Sequence, residues 1–363
     1  MENLGSSTPS NNLGTSSPTI KKSKIPEGFK LQKFESESRD WKMEYYQILR
    51  DNKAPDIEDF RYYYGRDKLK EFKNESMLKV FKIQANENQS TEEDEESIEG
   101  LVYSILDGKA IGKGFKAFPG SRYDDIKQGT DIVLFCEVEK GDKPLTYSID
   151  VTTGTSKKTV QSKFASTYGS GHNGNSSVRF CRDPKTRKMW DEEEAPHFII
   201  GVSPASVINT VSSGKVFYKE EEGEQGVNIK NVDNIIVALG GEDYKNTVFK
   251  ILAEFHAQIE IQKSLVNNQE NLSQNKKVAR RKYLVTLGAQ IKERLTGLLG
   301  IDKEGKNPNE ISAEFSQKFN KKVKELLRED TTFGNIMSEV SNYSYIADRQ
   351  RGSKTYKATK ASA

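Results

Sequence analysis

SRYDDIKQGTDIVLFCEVEKGDKPLTYSIDVTTGTSKKTVQSK, residues 121–163, decides how the rest of the chain is read. Two runs within it read as strands, Asp131 to Glu139 and Leu145 to Thr152, joined by a Gly-Asp-Lys-Pro turn at 141–144. Each carries an acid where a buried strand normally holds an apolar or neutral side chain. Asp131 opens the first run, and Asp150 sits in the second between Ile149 and Val151. An acid in that setting is costly unless it meets a partner. Side chains alternate along a strand, so Ser148, Asp150 and Thr152 face opposite to Tyr147, Ile149 and Val151. The apolar set packs inward, and the Asp150 face opens to a cleft. Lys157, Lys158 and Lys163 follow directly. Two carboxylates on adjacent strands with an ammonium close by suit a divalent cation and a phosphate.

Upstream, Phe115 to Phe118 reads as a short strand, and Arg122 to Ile126 as a connecting segment whose Asp124 and Asp125 are turn acids. Before it, Thr91 is placed to cap a helix whose first turn is acidic, Glu92 to Glu96. Its apolar stripe is Ile98, Leu101, Val102, Ile105 and Leu106, and Gly108 ends it. Glu99, with Glu96 as the alternate, lies beside that stripe and can point at a site. From Ser38 to Ile83 the pattern is again helical. The cluster Arg61-Tyr62-Tyr63-Tyr64 with Arg66, Lys68 and Lys70 suits either base stacking and phosphate pairing or an amphipathic helix packing its tyrosines on the core.

Downstream, Lys157 to Tyr168 reads as a helix. GSGHNGNSS at 169–177 lacks the Gly-Lys-Ser/Thr of a phosphate-cradling loop and is read as a flexible connection. Val178 to Cys181 is a short strand or edge, Asp191 to Glu194 an exposed acidic stretch, and Pro196 to Ser203 a fully buried strand. Long helices follow from Glu242 to about Val266, through Leu299, and from Ile311 to Leu327. The basic block Lys276, Lys277, Arg280, Arg281 and Lys282 leads into the second of these, and Lys318, Lys321, Lys322 and Lys324 lie on the polar side of the third. The organisation expected is a disordered leader over 1–28, a helical region over 29–90, an α/β core over 91–240, a C-terminal helical region over 241–345 and a basic mobile tail over 346–363.

Composition sets the outer bounds. A hydrophobic share of 34% against 30% charged residues is lean for one globule, which suits tails and exposed helices. With 56 basic and 53 acidic residues the net charge is only +3, so any basic surface must be local. Two cysteines and three separated histidines argue against a disulfide scaffold, a cysteine zinc site or a histidine metal cluster. No apolar run approaches a membrane span, and the N-terminus has no apolar signal core, so the expectation is a cytoplasmic protein with no membrane partner.

These motifs resemble the PD-(D/E)XK nuclease superfamily. Its members share a helix with an acid, a strand with Asp, a strand with Asp/Glu-x-Lys, then a helix and a fourth strand. Gly129-Thr-Asp131-Ile-Val-Leu corresponds to the first strand motif and Ile149-Asp150-Val-Thr152 to the second, over roughly residues 95–212. Thr152 stands where the family places its lysine, and some members supply that lysine from the following helix. The resemblance implies a restriction-endonuclease-like mixed central sheet flanked by helices, an α/β (α+β) fold. It also implies a magnesium or manganese site at Asp131, Asp150 and Glu99, with Lys157, Lys158 or Lys163 as the catalytic lysine.

Two functional readings result. In the first the chain is a metal-dependent endo- or exonuclease acting on DNA, with Lys276, Lys277, Arg280, Arg281 and Lys282 on phosphates and the helical regions open to a protein partner. In the second the same fold is catalytically inactive and serves as a nucleic-acid-binding, structural or assembly protein of a virus or mobile element.

Overall fold

The computed structural model describes residues 30–32, 38–84, 92–112, 114–136, 144–153, 156–169, 174–183, 187–213, 215–218, 235–268 and 273–345. The leader over 1–28, the tail over 346–363, residues 137–143 of the expected strand and turn, and 170–173 of the glycine-rich connection lie outside them. A three-residue strand β1 (Lys30–Gln32) precedes helices α1 (Ser38–Lys53), α2 (Arg61–Tyr64), α3 (Arg66–Gln84) and α4 (Glu92–Ile105). The central stretch then runs β2 (Phe115–Pro119), α5 (Arg122–Gln128), β3 (Ile132–Cys136), β4 (Leu145–Thr152) and α6 (Lys157–Tyr168). It continues with β5 (Asn175–Arg182), β6 (Met189–Gly201) and α7 (Pro204–Ser212). Strands β7 (Lys215–Tyr218) and β8 (Ile235–Ala238) lead to α8 (Gly241–Asn268), α9 (Gln274–Leu298), α10 (Pro308–Glu329) and a last helix α11 over 331–345.

The fold is a mixed α/β architecture around a five-stranded sheet in the order β2-β3-β4-β6-β5. Strands β2, β3 and β4 form an antiparallel meander, β6 joins β4 in parallel, and β5 folds back antiparallel on β6. A separate three-stranded antiparallel sheet has the order β1-β7-β8. Among the described residues no helix is long and apolar enough to cross a membrane.

Alternation in β4 sorts the sheet's two faces. Leu145, Tyr147, Ile149 and Val151 join Ile132, Leu134, Phe198, Ile200 and Val202 in one large apolar cluster. Against them pack Ile98, Leu101 and Val102 of α4, Leu252, Phe255 and Ile259 of α8, and Leu284, Leu287 and Ile291 of α9. The opposite face is divided. Phe118, Val133, Phe135 and Trp190 form one apolar patch. Ile199 joins Val160, Phe164 and Tyr168 of α6 and Ile336 and Val340 of α11 in another. Along β4 itself this face holds Thr146, Ser148, Asp150 and Thr152, all buried. Buried polar side chains in such a row require partners, and that requirement localises the site.

Two expected boundaries move. Asp191–Glu194 is not a separate exposed stretch but part of a thirteen-residue β6, whose outer half is only partly covered. Arg122–Gln128, read as a connection, is a capped helix: Ser121 Oγ accepts the Asp124 N–H at 3.1 Å, and Gly129 ends it at φ 63°. That left-handed backbone suits glycine, which lacks the Cβ that makes it costly. The turn delivers the chain directly to Asp131.

Among the described residues the inner half of β6 has no strand neighbour on its β5 side, because the β5 pairing stops at Pro196. Helix α8 fills the gap with side chains. Gln258 accepts the Ile199 N–H at 2.9 Å and donates to the Ile199 carbonyl at 2.6 Å. Gln262 donates to the His197 carbonyl at 2.6 Å, and Glu254 accepts the Gly201 N–H at 2.8 Å. Residues four apart lie on one helix face, so three polar side chains stand in for a missing strand.

Candidate active site

The β3–β4 ladder ends with Ile132 opposite Ile149, which leaves Asp131 just beyond its end and within electrostatic reach of Asp150 on β4. Both residues are nearly enclosed, Asp131 at 6% and Asp150 at 8% exposure. Asp131 is tied twice to β4: its N–H donates to the Ile149 carbonyl at 2.9 Å, and its Oδ2 accepts the Val151 N–H at 2.6 Å. Asp150 Oδ1 takes the ammonium of Lys163 as its partner.

Burial, first, and then the carboxylates of Glu99, Asp150 and Asp125 push the Asp131 acid well above the usual carboxylate range, while Lys163 pulls it back. Four acids therefore act on one small volume. Glu99 comes from α4, beside the apolar stripe that fixes that helix, and Asp125 from the short α5. Between them stands Arg50 of α1, with Nε 2.7 Å from Glu99 Oε2 and Nη2 3.2 Å from Asp125 Oδ2. The Nε–Oε2 pair lies off the hydrogen-bond line and is an ion pair, whereas Nη2 donates an aligned hydrogen bond to Asp125.

Behind the aspartates runs a chain of buried side chains. Thr130 Oγ1 lies 2.7 Å from Ser148 Oγ, which lies 2.7 Å from His197 Nδ1. Burial, and then the charge of Lys163, lower the His197 pKa to about 3, so the ring is neutral at ordinary pH. A neutral ring bonded to a hydroxyl braces β4 against β6 and adds no charge to the acids.

Asp124, next to Asp125, plays a different part. Its carboxylate accepts the Arg179 N–H at 2.7 Å, the Phe180 N–H at 3.1 Å and the Ser121 hydroxyl at 2.7 Å. Complete burial outweighs those hydrogen bonds and raises its pKa to about 6. It ties α5 to β5 and so holds the turn that leads to Asp131.

The structure brings Asp131, Asp150 and Glu99 into one neighbourhood. Lys157 and Lys158 stand in the first turn of α6 and are exposed; of the three lysines considered, Lys163 is the one that touches Asp150. Thr152 is buried on the Asp150 face opposite Gly201, so the strand offers no lysine there. The Glu96 and Lys276 side chains lie outside the described residues. Within the basic block, Arg281 and Lys282 are exposed and Lys277 is half-buried. Arg280 is buried, 3.9 Å from Glu194, and does not face solvent.

Compared with family models, curated proteins and solved structures, the chain matches none. The site is therefore read from its own chemistry. Among the described residues no three His, Cys, Asp or Glu side chains form a ready-made metal cage. Magnesium does not need one, since it keeps several waters and binds through one or two carboxylates plus substrate phosphate. Like charges that raise the Asp131 pKa are what a cation would relieve, and an all-oxygen donor set suits a hard ion. Carboxylates such as Asp131 and Asp150 are donors of the kind such an ion takes.

Sequence reasoning passed over Arg50, read Asp125 as a turn acid, and placed Ser148 on the Asp150 face without joining it to His197. For His197 the missing information was the β4–β6 register, which sets it beside Ser148. No local pattern marks Arg50.

Proposed function

We propose that the chain is a divalent-metal-dependent nuclease that hydrolyses phosphodiester bonds, with DNA as the substrate. One observation carries the reading: a buried aspartate at the end of β3 and another on the neighbouring strand β4 lie within reach of one another, and a helix lysine contacts the second. The order α4, β2, β3, β4, α6, β6, with acids in α4, β3 and β4, supports a restriction-endonuclease-like core in which β5 is an insertion.

Asp131, Asp150 and Glu99 would hold the magnesium or manganese ion. Bound there, the ion would lower the pKa of a water and offset charge on the phosphate. The chain supplies the rest. Lys163, fixed by Asp150, orients the attacking water and donates to the oxygen on which charge develops. The enclosed floor of Ser148 and His197 keeps β4 and β6 in register beneath the reacting groups. Arg281 and Lys282 contact phosphates along the duplex without reading its sequence.

The test is cleavage of supercoiled, linear and single-stranded DNA, and of RNA, with magnesium or manganese, beside Asp150→Ala. The intact protein is expected to cut, and Asp150→Ala to lose at least about 100-fold, the scale of removing one transition-state group. Equal cleavage by both proteins would remove the site assignment. Cleavage of no substrate would favour the inactive binding or assembly protein, in which Arg50 and Lys163 serve as permanent counter-ions to the acids.

A further inference from the structure

A cation enters this site from outside the α/β core. Helix α1 crosses α4 at Gly100, where a Cβ would stand 2.1 Å from the Tyr46 carbonyl oxygen. Only glycine permits that approach, so the two helices are closer there than any side chain would allow. Tyr45 and Tyr46 seal the crossing against Ile98, Leu101 and Val102. Arg50 is four residues beyond Tyr46, one turn along the same face, and Glu99 adjoins Gly100. The crossing therefore sets the Arg50 guanidinium against Glu99 and Asp125.

We infer that Arg50 is a catalytic residue of the proposed nuclease, binding the non-bridging oxygens of the scissile phosphate. This rests on the nuclease reading and deepens it. Three carboxylates act on Asp131, which makes four acids together, and among the described residues Lys163 and Arg50 are ion-paired to members of that group. A diester anion approaching that much negative charge is repelled unless cations face it. Lys163 stands on the Asp150 side and Arg50 on the Glu99 side, so the two flank the aspartates. A guanidinium presents a planar fork that matches two phosphate oxygens, which an ammonium does not. Its present partners suit that role. Glu99 and the partly exposed Asp125 hold the group in place, with 13% of its side chain open to solvent. The helical region before the core then forms part of the catalytic apparatus.

The experiment compares the intact protein with Arg50→Ala and Arg50→Lys on two oligonucleotides. One has a normal diester at the mapped cleavage linkage; the other has a methylphosphonate there, which removes the negative charge. Thermal unfolding establishes that each variant is folded. On the diester, Arg50→Ala is expected to lose about 100-fold in kcat/KM, with Arg50→Lys between it and the intact protein. The methylphosphonate should slow the intact protein far more than Arg50→Ala, because the variant has already lost the group that reads the charge. In calcium, which supports binding without turnover, anisotropy of a fluorescein-labelled duplex should show weaker binding by Arg50→Ala.

Equal losses of Arg50→Ala on both oligonucleotides would make Arg50 a support for Glu99 and overturn the inference. So would a folded Arg50→Ala that cuts the diester within threefold of the intact protein. If the intact protein cuts nothing, the nuclease reading falls. Arg50 is then decided by anisotropy, where equal affinities overturn phosphate binding and weaker binding by the variant supports it.

Discussion

Replacing Gln258 by leucine tests whether α8 completes the central sheet. The side chain is fully buried and its amide pairs with both backbone groups of Ile199, at 2.9 and 2.6 Å. Leucine fills a similar volume but satisfies neither group. Each buried polar group left without a partner costs about 1–3 kcal/mol, so two cost about 2–6 kcal/mol. The Tyr168 hydroxyl also loses a contact, Gln258 Oε1 at 2.9 Å, but keeps the His197 carbonyl at 3.0 Å, so it adds little. About 4 kcal/mol is a large part of the 5–15 kcal/mol typical of a folded domain. Urea unfolding followed by circular dichroism should show a lower midpoint with an unchanged slope. Gln258→Glu, which retains the acceptor but sets an oxygen against the Ile199 carbonyl, should cost at least as much. A loss under about 1 kcal/mol for Gln258→Leu would mean that the β6 edge is satisfied without α8, and the strand-surrogate reading would be wrong.

Two further outcomes follow from the site. Lys163→Ala should lower cleavage at least about 100-fold, whereas Lys157→Ala and Lys158→Ala, both in solvent, should stay within threefold of the intact protein; the reverse ranking in a kinetic assay would relocate the catalytic lysine. Asp124 gives a pH signature. Its folded pKa of about 6 lies above the ordinary 3.8, so the stability it contributes is complete below about pH 4 and lost as pH rises through about 6. That gap corresponds to about 3 kcal/mol, at 1.36 kcal/mol per pKa unit. The stability of the intact protein relative to Asp124→Asn should therefore fall between pH 4 and 6.5, and parallel curves in chemical denaturation would refute the assignment.

The parts of the fold legible in the sequence are those fixed by local period. Leu145–Thr152 alternates without a break, and its two faces divide as the alternation requires. The stripe of α4 and the acid beside it are also local features. Strand order is not local: nothing in Pro196–Ser203 says that it joins β4 in parallel, and the place of His197 depends on that pairing. Helix α5 has only seven residues, too few for a period, and its Asp-Asp pair reads equally well as a turn. The outer half of β6 is half-exposed and acidic, so its polarity conceals its pairing with β5. Among the three lysines the helix phase carried a usable signal. Val160, Phe164 and Tyr168 form the buried stripe of α6, and Lys163 flanks it while Lys157 and Lys158 sit in the exposed first turn. Arg50 had no such signal, because its role comes from a helix crossing permitted by Gly100, fifty residues away in sequence.

The hydrogen bond from the Val151 amide to Asp131 Oδ2 also sets a denticity. One oxygen of that carboxylate is committed to holding β3 and β4 in register, which leaves Oδ1 as the atom that can reach outward. An ion bound here would meet Oδ1 first, with other carboxylates, water or substrate as its further oxygen donors. A donor position that water would fill is one a phosphate oxygen could take without dislodging a strand.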